Sequence, residues 1–566
     1  METRNILAAL AAQAAAMPGR DSITFLADDD AALVMTPAHL LQQAAGWGHY
    51  LHRQGVAAGE TVLIVLDHDP ALFYAFLGCM SIGAVPAFFA PPASRTEIEY
   101  YVNQSRQMVQ ELGVAAIVTM PAFAPYLQAL LADTSCRVLD AGTVAQAVAD
   151  LPADLPLPAG ALDIPGHQTA YLQFSSGTTG AKKGVMTSHN AVVSQIKAFN
   201  QMLAVTADEV IVSWLPLHHD MGLLSSFLVP LLLGSRSVIM SPLSWIRNPK
   251  RLLGIVQQYR GTFTCLPNFA FNHMVRAVRP HEIEGVDLRS WRQILNGSEP
   301  IRAESIATFE ARFHPYGLGE NVVTTGYGMA ENTLAIALKP HDEPLQRLWV
   351  NLDALQRARQ VIPLAADAAG VTCLVASGRV VPGTRLKVVD ETGRALPPLQ
   401  VGEICLQGDS LFTGYHRQPE MTAAVFNDGW FHTGDLGFVA DGWVYVTGRQ
   451  KDLIIVGGKN IHPEDLEEIA GQVPGVYPGR VVAFGLYSDR LGTEQVVIVA
   501  ETRQPLTPEE NHQLAGEIRR RVAQQTEITP RDVRIVNQRW VQKSSSGKVA
   551  RRANREQYEN DFLRHA

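Results

Sequence analysis

Between about residues 60 and 335, short apolar runs recur with helix-length stretches between them: TVLIVLD, AAIVTM, YLQFSS, EVIVSWLP, SVIM, TFTCLP and RQILNG. Each run has the length of a strand buried on both faces, and the segments between them are amphipathic. Such a chain buries its runs by stacking parallel sheets under helices. After about residue 378 the texture changes. RLKVVD, GEICLQG and GWVYVTG follow closely, with turns such as Glu391-Thr392-Gly393-Arg394 between them, which predicts a small β-rich subdomain. Beyond Arg449 come two short strands, a helix from Pro463, the strands VVAFGL and EQVVIVAET, a helix over about 508–525 and a last strand VRIV. The predicted fold class is α/β: a large N-terminal region of stacked, mostly parallel sheets with helices plus the β-rich subdomain, and a smaller α+β C-terminal domain. A chain of 566 residues is too long for one core, so this division is expected.

Residues 71–92, ALFYAFLGCMSIGAVPAFFAPP, are uncharged and about long enough for the ~20-residue span of a bilayer. Gly78, Ser81, Gly83 and Pro86 divide the stretch into a helix and a short strand, so a buried βαβ unit is predicted and no transmembrane segment. The Ala-rich N-terminus carries Glu2 and little basic charge, and reads as an ordinary helix rather than a leader. With 47 basic against 55 acidic residues and a net charge of −8, nucleic acid is not expected as a partner. The five cysteines are scattered, with neither zinc spacing nor a framework of bridges, which fits a reducing, cytoplasmic location.

The stretch YLQFSSGTTGAKKGVMTSHN, residues 171–190, reads as a strand entering a loop, with a helix after His189. Glycines 177, 180 and 184 let backbone N–H groups turn inward, and Ser175, Ser176, Thr178, Thr179, Lys182 and Lys183 add donors and charge. The loop is built to hold an oxyanion, phosphate being the commonest. It is not a Walker loop, because Gly184 follows Lys183 where Ser or Thr would be required.

Further motifs follow in order: Trp214-Leu215-Pro216-Leu217-His218-His219-Asp220-Met221-Gly222, Asn296-Gly297-Ser298-Glu299-Pro300, Gly326-Tyr327-Gly328-Met329-Ala330-Glu331, Thr433-Gly434-Asp435, Gly448-Arg449-Gln450-Lys451-Asp452 and Ser545-Ser546-Gly547-Lys548. Together they resemble the adenylate-forming superfamily over nearly the whole chain. Within it the sequence is most similar to the fatty acyl-AMP ligases. The pointers are Pro91-Pro92, the Leu215–Gly222 motif, the Asn296–Pro300 turn, and a segment over about 339–375 that resembles the insertion distinguishing these ligases from acyl-CoA synthetases. Gly457-Gly458-Lys459-Asn460-Ile461-His462-Pro463 looks closer to the synthetases.

The resemblance implies an N-terminal adenylation domain over 1–448, with its β-rich part at about 378–448, and a mobile C-terminal domain over 449–566 hinged at Lys451. It implies ATP and Mg²⁺ as cofactors, a fatty acid substrate and an acyl carrier protein or carrier domain acting in trans. Ser176, Gly177, Thr178, Thr179, Gly180 and Lys183 are expected around the phosphates. Glu331, in a glycine turn, suits Mg²⁺, a hard cation that prefers oxygen. Asp435, expected at a strand end, can accept both ribose hydroxyls, and Arg449 can donate to ribose or phosphate. Tyr327 and Gly328 are expected beside adenine, with Gly297 and Ser298 at the base edge. By resemblance, Lys548 swings in to bridge the attacking carboxylate and the α-phosphate, and His219 lies near the acyl carboxylate. An apolar tunnel is expected along Met221 to Leu233 and Phe269 to Met274. The alternatives that the residues leave open are an acyl-CoA synthetase and a catalytically silent binding protein. A silent protein is disfavoured because Glu331, Asp435, Arg449 and Lys548 are all present.

Overall fold

The apolar runs become the strands Thr61–Val65, Val114–Thr119, Thr169–Ser175, Val210–Ser213, Arg236–Ile239, Phe263–Pro267 and Gln293–Gly297. The computed structural model describes residues 5–91, 98–175, 183–456, 459–488, 493–526, 528–544 and 547–563. Among these residues the first half of the chain feeds two sheets. A 7-stranded sheet runs from the edge strand Gly414–Tyr415 through Lys183–Ser188, Thr169–Ser175, Val85–Phe88, Thr61–Val65 and Val114–Thr119 to Arg137–Asp140. A 14-stranded sheet holds the rest. Its strands run parallel from Ile23–Leu26 through Arg236–Ile239, Val210–Ser213, Phe263–Pro267 and Gln293–Gly297 to Val323–Gly328. From there onward the pairing is antiparallel. Ala335–Leu338, Gly378–Val380, Trp443–Arg449, Trp430–Ala440, Gly402–Gly408 and Thr384–Val389 follow in spatial order. The β-rich stretch is thus hydrogen-bonded into the main sheet.

The helix Ala71–Ser81 is apolar almost all round because it is buried almost all round, as expected of a helix without a solvent face. Phe73 and Phe76 pack edge-on against Phe227 and Phe76 stacks on Phe88, each such burial contributing about 1.5–3 kcal/mol. The strand Val85–Phe88 follows, and no helix of the described residues is long and apolar enough to cross a membrane. Gly78 is where this helix meets Pro37–Arg53, since a Cβ there would collide with Trp47 Cβ, an atom fixed to the backbone. Gly78→Ala should therefore destabilise the protein by about 1–2 kcal/mol, the overpacking cost exceeding the gain in helix propensity of about 1 kcal/mol. A denaturant melt with an unchanged midpoint would contradict that packing.

Residues 454–563 carry hydrophobic clusters of their own. The strands Val476–Ser488, Thr493–Thr502 and Asp532–Val536 form one sheet, covered on one face by the helices Pro463–Gly471 and Pro508–Thr526, with Val541 and Tyr558 on the other. The sequence reading did not include the helix Arg551–Tyr558. Its first residue, Arg551, pairs with Asp452, Glu464 and Glu467 at 2.9–3.0 Å. Arg302 reaches across from the larger part to Asp465 at 3.0 Å and Glu468 at 2.9 Å.

Candidate functional site

Parallel strands leave their carboxyl ends free to build a crevice, and the chain uses several in one place. Phe263–Pro267 delivers Asn268 and Phe269, Gln293–Gly297 delivers Ser298 and Glu299, and Val323–Gly328 delivers Tyr327. Tight backbone geometry holds these turns. Ser298 takes φ 68°, and Gly328 has no room for a Cβ because Leu334 O stands against it. A cavity of about 1580 Å³ opens there, lined by Ser298, Glu299, Tyr327, Gly328, Asp435, Arg449 and Lys548 among others.

Asp435 and Arg449 are directly opposite in the antiparallel pair Trp430–Ala440 and Trp443–Arg449. Arg449 Nε donates to Asp435 Oδ1 at 3.2 Å, and the Tyr327 hydroxyl donates to Oδ2 at 2.7 Å. Burial and the Asp435 charge push the Tyr327 phenol up, which keeps it a donor. The expectation of a strand end for Asp435 is corrected: it lies inside an 11-residue strand whose pairing runs on to Ala440 opposite Trp443. Arg449 does end its strand, and Lys451 follows in the short helical turn Gln450–Asp452.

Glu331 sits in the turn Ala330–Asn332 and is 8% exposed. The Tyr415 hydroxyl donates to its Oε1 at 2.9 Å, and its carbonyl accepts from Phe412 N at 2.8 Å. Burial raises the carboxyl above its ordinary range, with Tyr415 and Lys183 pulling the other way. Lys183 Nζ stands 4.8 Å from the Tyr415 ring centre, so the end of the phosphate-type loop and this carboxylate share one corner. That loop closes into the strand Lys183–Ser188, which pairs antiparallel with Thr169–Ser175 and precedes the helix His189–Leu203. The sequence reading placed loop directly before helix. Ser176, Gly177, Thr178, Thr179 and Gly180 lie outside the described residues.

Lys548 enters the cavity from the C-terminal side. Ser544 N donates to Lys548 O at 2.7 Å and Gly547 N to Ser544 O at 2.9 Å, a closed turn whose ends pair at Lys543 and Val549. Burial and then Arg449 lower the Lys548 ammonium below the usual lysine range, while Asp220, Glu299 and Asp435 oppose them. Glu299 faces the same cavity. It accepts from Phe269 N at 2.8 Å, and burial raises it against the pull of Lys548, Lys543 and His219.

His219 Nδ1 lies 2.7 Å from Asp220 Oδ1, which also accepts from Met221 N at 2.7 Å, while the neighbouring His218 lines the cavity. Burial works against the ionised Asp220, yet His219, Lys548 and Met221 N together hold it below the ordinary carboxylate range. Of the two apolar stretches, only the second lines the cavity, through Phe269, Asn272 and His273. Leu223–Leu228 is a widened helical segment buried in the core, and Met221 Sδ accepts from the hydroxyl of the cavity residue Ser298 at 3.6 Å. Phe88, Phe89, Phe174 and Ile246 supply apolar lining that the sequence did not single out.

The trio of carboxylate, phenol and guanidinium can bind a diol and an adjacent phosphate, the buried Glu331 a hard cation, and the ammonium of Lys548 a developing negative charge. A family model described as AMP-binding enzyme matches residues 10–416. The chain is 30% identical over 511 residues to the medium-chain-fatty-acid–acyl-carrier-protein ligase JamA of Moorena producens, covering 88% of this chain and 85% of that one. It is 30% identical over 586 residues to the long-chain-fatty-acid–AMP ligase FadD26 of Mycobacterium marinum, covering 99% and 98%. A structure from studies of fatty acyl-adenylate ligases of E. coli and L. pneumophila superposes with a TM-score of 0.90 at 26% identity, covering 100% and 99%. Another, the fatty acyl-adenylate ligase of L. pneumophila in complex with acyl adenylate and pyrophosphate, gives 0.74 at 27% identity, covering 99% and 97%.

Proposed function

The chain belongs to the AMP-binding enzyme family, and from that premise we propose that it activates a fatty acid with ATP and passes the acyl group to the phosphopantetheine thiol of an acyl carrier protein. In the first step a carboxylate oxygen attacks the α-phosphorus, the bond from that phosphorus to the α,β-bridging oxygen breaks, and pyrophosphate leaves with that oxygen. In the second, the thiol sulfur attacks the acyl carbonyl and AMP leaves. The observation that carries the reading is the meeting of Lys548 with the Asp435, Tyr327 and Arg449 group in one cavity.

Asp435 accepts from the ribose hydroxyls, with Tyr327 and Arg449 fixing the carboxylate and Arg449 also facing phosphate. Gly297, Ser298 and Gly328 form the backbone edge beside the base, and Tyr327 offers its ring. The loop Ser176, Gly177, Thr178, Thr179, Gly180 and Lys183 holds the β- and γ-phosphates. Lys548 stabilises the charge shared by the attacking carboxylate and the α-phosphate, as a preorganised cation in a water-poor site should. His219 orients Asp220 at the edge of the site. Glu331 would hold Mg²⁺, since a buried carboxylate with one oxygen bonded to Tyr415 offers the single hard donor that Mg²⁺ shares with phosphates. A bound Mg²⁺ would supply positive charge beside the phosphates. The functional division is 1–448 and 449–566 with Lys451 as hinge, and the acyl chain runs along Phe269 and its apolar neighbours. Each buried methylene adds ~0.8 kcal/mol, so affinity should rise with chain length until the pocket is filled.

The test is pyrophosphate exchange with a panel of carboxylic acids. Exchange is expected with medium or long fatty acids and only in the presence of ATP and Mg²⁺. Its absence with every fatty acid tried would sink the reading.

A further inference from the structure

Asp435 can serve ribose only if the backbone just before it is fixed, and that backbone is unusual. Gly434 sits at φ 71°, and the ladder between Gly402–Gly408 and Trp430–Ala440 shifts register between Glu403 and Cys405, beside this point. The ladder pairs His432 with Cys405 and Asp435 with Arg449 but leaves residues 433 and 434 without a ladder partner. Side chains hold them instead. Glu403 Oε1 accepts from Gly434 N at 3.0 Å, and its Oε2 lies 2.8 Å from His432 Nδ1. Thr433 Oγ1 donates to Ile404 O at 2.8 Å and accepts from Asp435 N at 3.0 Å. Cys405 Sγ lies 3.5 Å from His432 Nδ1, so Glu403, Cys405 and His432 form one cluster beside the turn.

We infer that Glu403 is a positioning residue for nucleotide binding: its carboxylate, braced by His432, clamps the turn at Gly434 and so aims Asp435 into the cavity. One carboxylate bonds both residues that flank Thr433, and it is anchored on the neighbouring strand, so the turn cannot shift without breaking a charge-assisted bond. The inference rests on the reading of Asp435 as the ribose acceptor.

The test is steady-state pyrophosphate exchange and melting of Glu403→Ala, Glu403→Gln and His432→Ala beside Asp435→Ala. Glu403→Ala should raise KM for ATP about tenfold, the loss expected for a charge-assisted bond to a backbone N–H, and leave KM for the fatty acid within about twofold. Glu403→Gln keeps an acceptor for Gly434 N and should recover most of the ATP affinity. An unchanged KM for ATP in Glu403→Ala overturns the inference, as does an equal loss toward both substrates that tracks a lowered melting temperature. Should Glu403→Ala not fold, His432→Ala carries the test, with a selective rise in KM for ATP expected and an unchanged one overturning it. If Asp435→Ala itself leaves KM for ATP unchanged, it is the ribose reading that fails. If Asp435→Ala raises it and the Glu403 variants do not, the clamp alone fails.

Discussion

Lys548→Ala should slow formation of the acyl-adenylate by about 10²- to 10³-fold, the usual cost of removing one preorganised charge from a water-poor site. The substitution is clean in this fold. The turn that carries Lys548 is held by backbone bonds, Ser544 N to Lys548 O and Gly547 N to Ser544 O, and Arg551 anchors the following helix to Asp452, Glu464 and Glu467. Loss of the ammonium should therefore leave the loop in place and remove only the charge. Thiol transfer from supplied acyl-AMP needs no new bond at phosphorus, so it should fall far less, and the two steps separate in single-turnover measurements. Equal losses in both steps would mean that Lys548 supports the site as a whole rather than the chemistry at the α-phosphate.

What could be read in the sequence was what repeats locally. Strand-length apolar runs marked the sheets, and the resemblance of short ordered motifs to one superfamily singled out Asp435, Arg449, Glu331, Tyr327 and Lys548. Partners brought in by topology carry no such mark. Tyr415 is 84 residues from Glu331, and Glu403 is 31 from Gly434. Tyr415 reaches Glu331 only because its two-residue edge strand pairs with Lys183–Ser188. Cavity lining is hard to read for a related reason: a core segment and a pocket wall share a composition, so Phe88, Phe89, Phe174 and Ile246 carry no mark of facing the cavity. Asp435 looked terminal because Thr433-Gly434 reads as a turn, whereas Phe438 and Tyr445 stack across the ladder and extend the strand beyond it.

Cutting the tie between residues 339–375 and the C-terminal part should turn the enzyme toward coenzyme A. The segment folds as the paired strands Arg347–Asn351 and Val371–Val375 around the helix Leu352–Ala358. Val350 and Val361 are buried against Phe438, Trp443 and Tyr445, with Leu348 and Leu355 partly so, while Ile362 is 42% exposed. Its helix then grips the hairpin after the hinge. Asn460 Nδ2 donates to Gln356 O at 2.8 Å, and Lys459 Nζ stands 3.9 Å from Asp353 Oδ1. The run at 457–465 that looks synthetase-like thus supplies the grip. If thiol transfer to coenzyme A needs a rotation of residues 449–566, the hydrogen bond opposes it by about 0.5–1.5 kcal/mol and the half-exposed ion pair adds little. Asp353→Ala with Asn460→Ala should raise acyl-CoA formation by roughly 3- to 10-fold, and deletion of about residues 342–370 further, with pyrophosphate exchange retained. The intact enzyme should acylate holo carrier protein and make little acyl-CoA. Rapid acyl-CoA formation by the intact enzyme would show that the grip does not restrain the acceptor step, since the same contacts would be present and without effect.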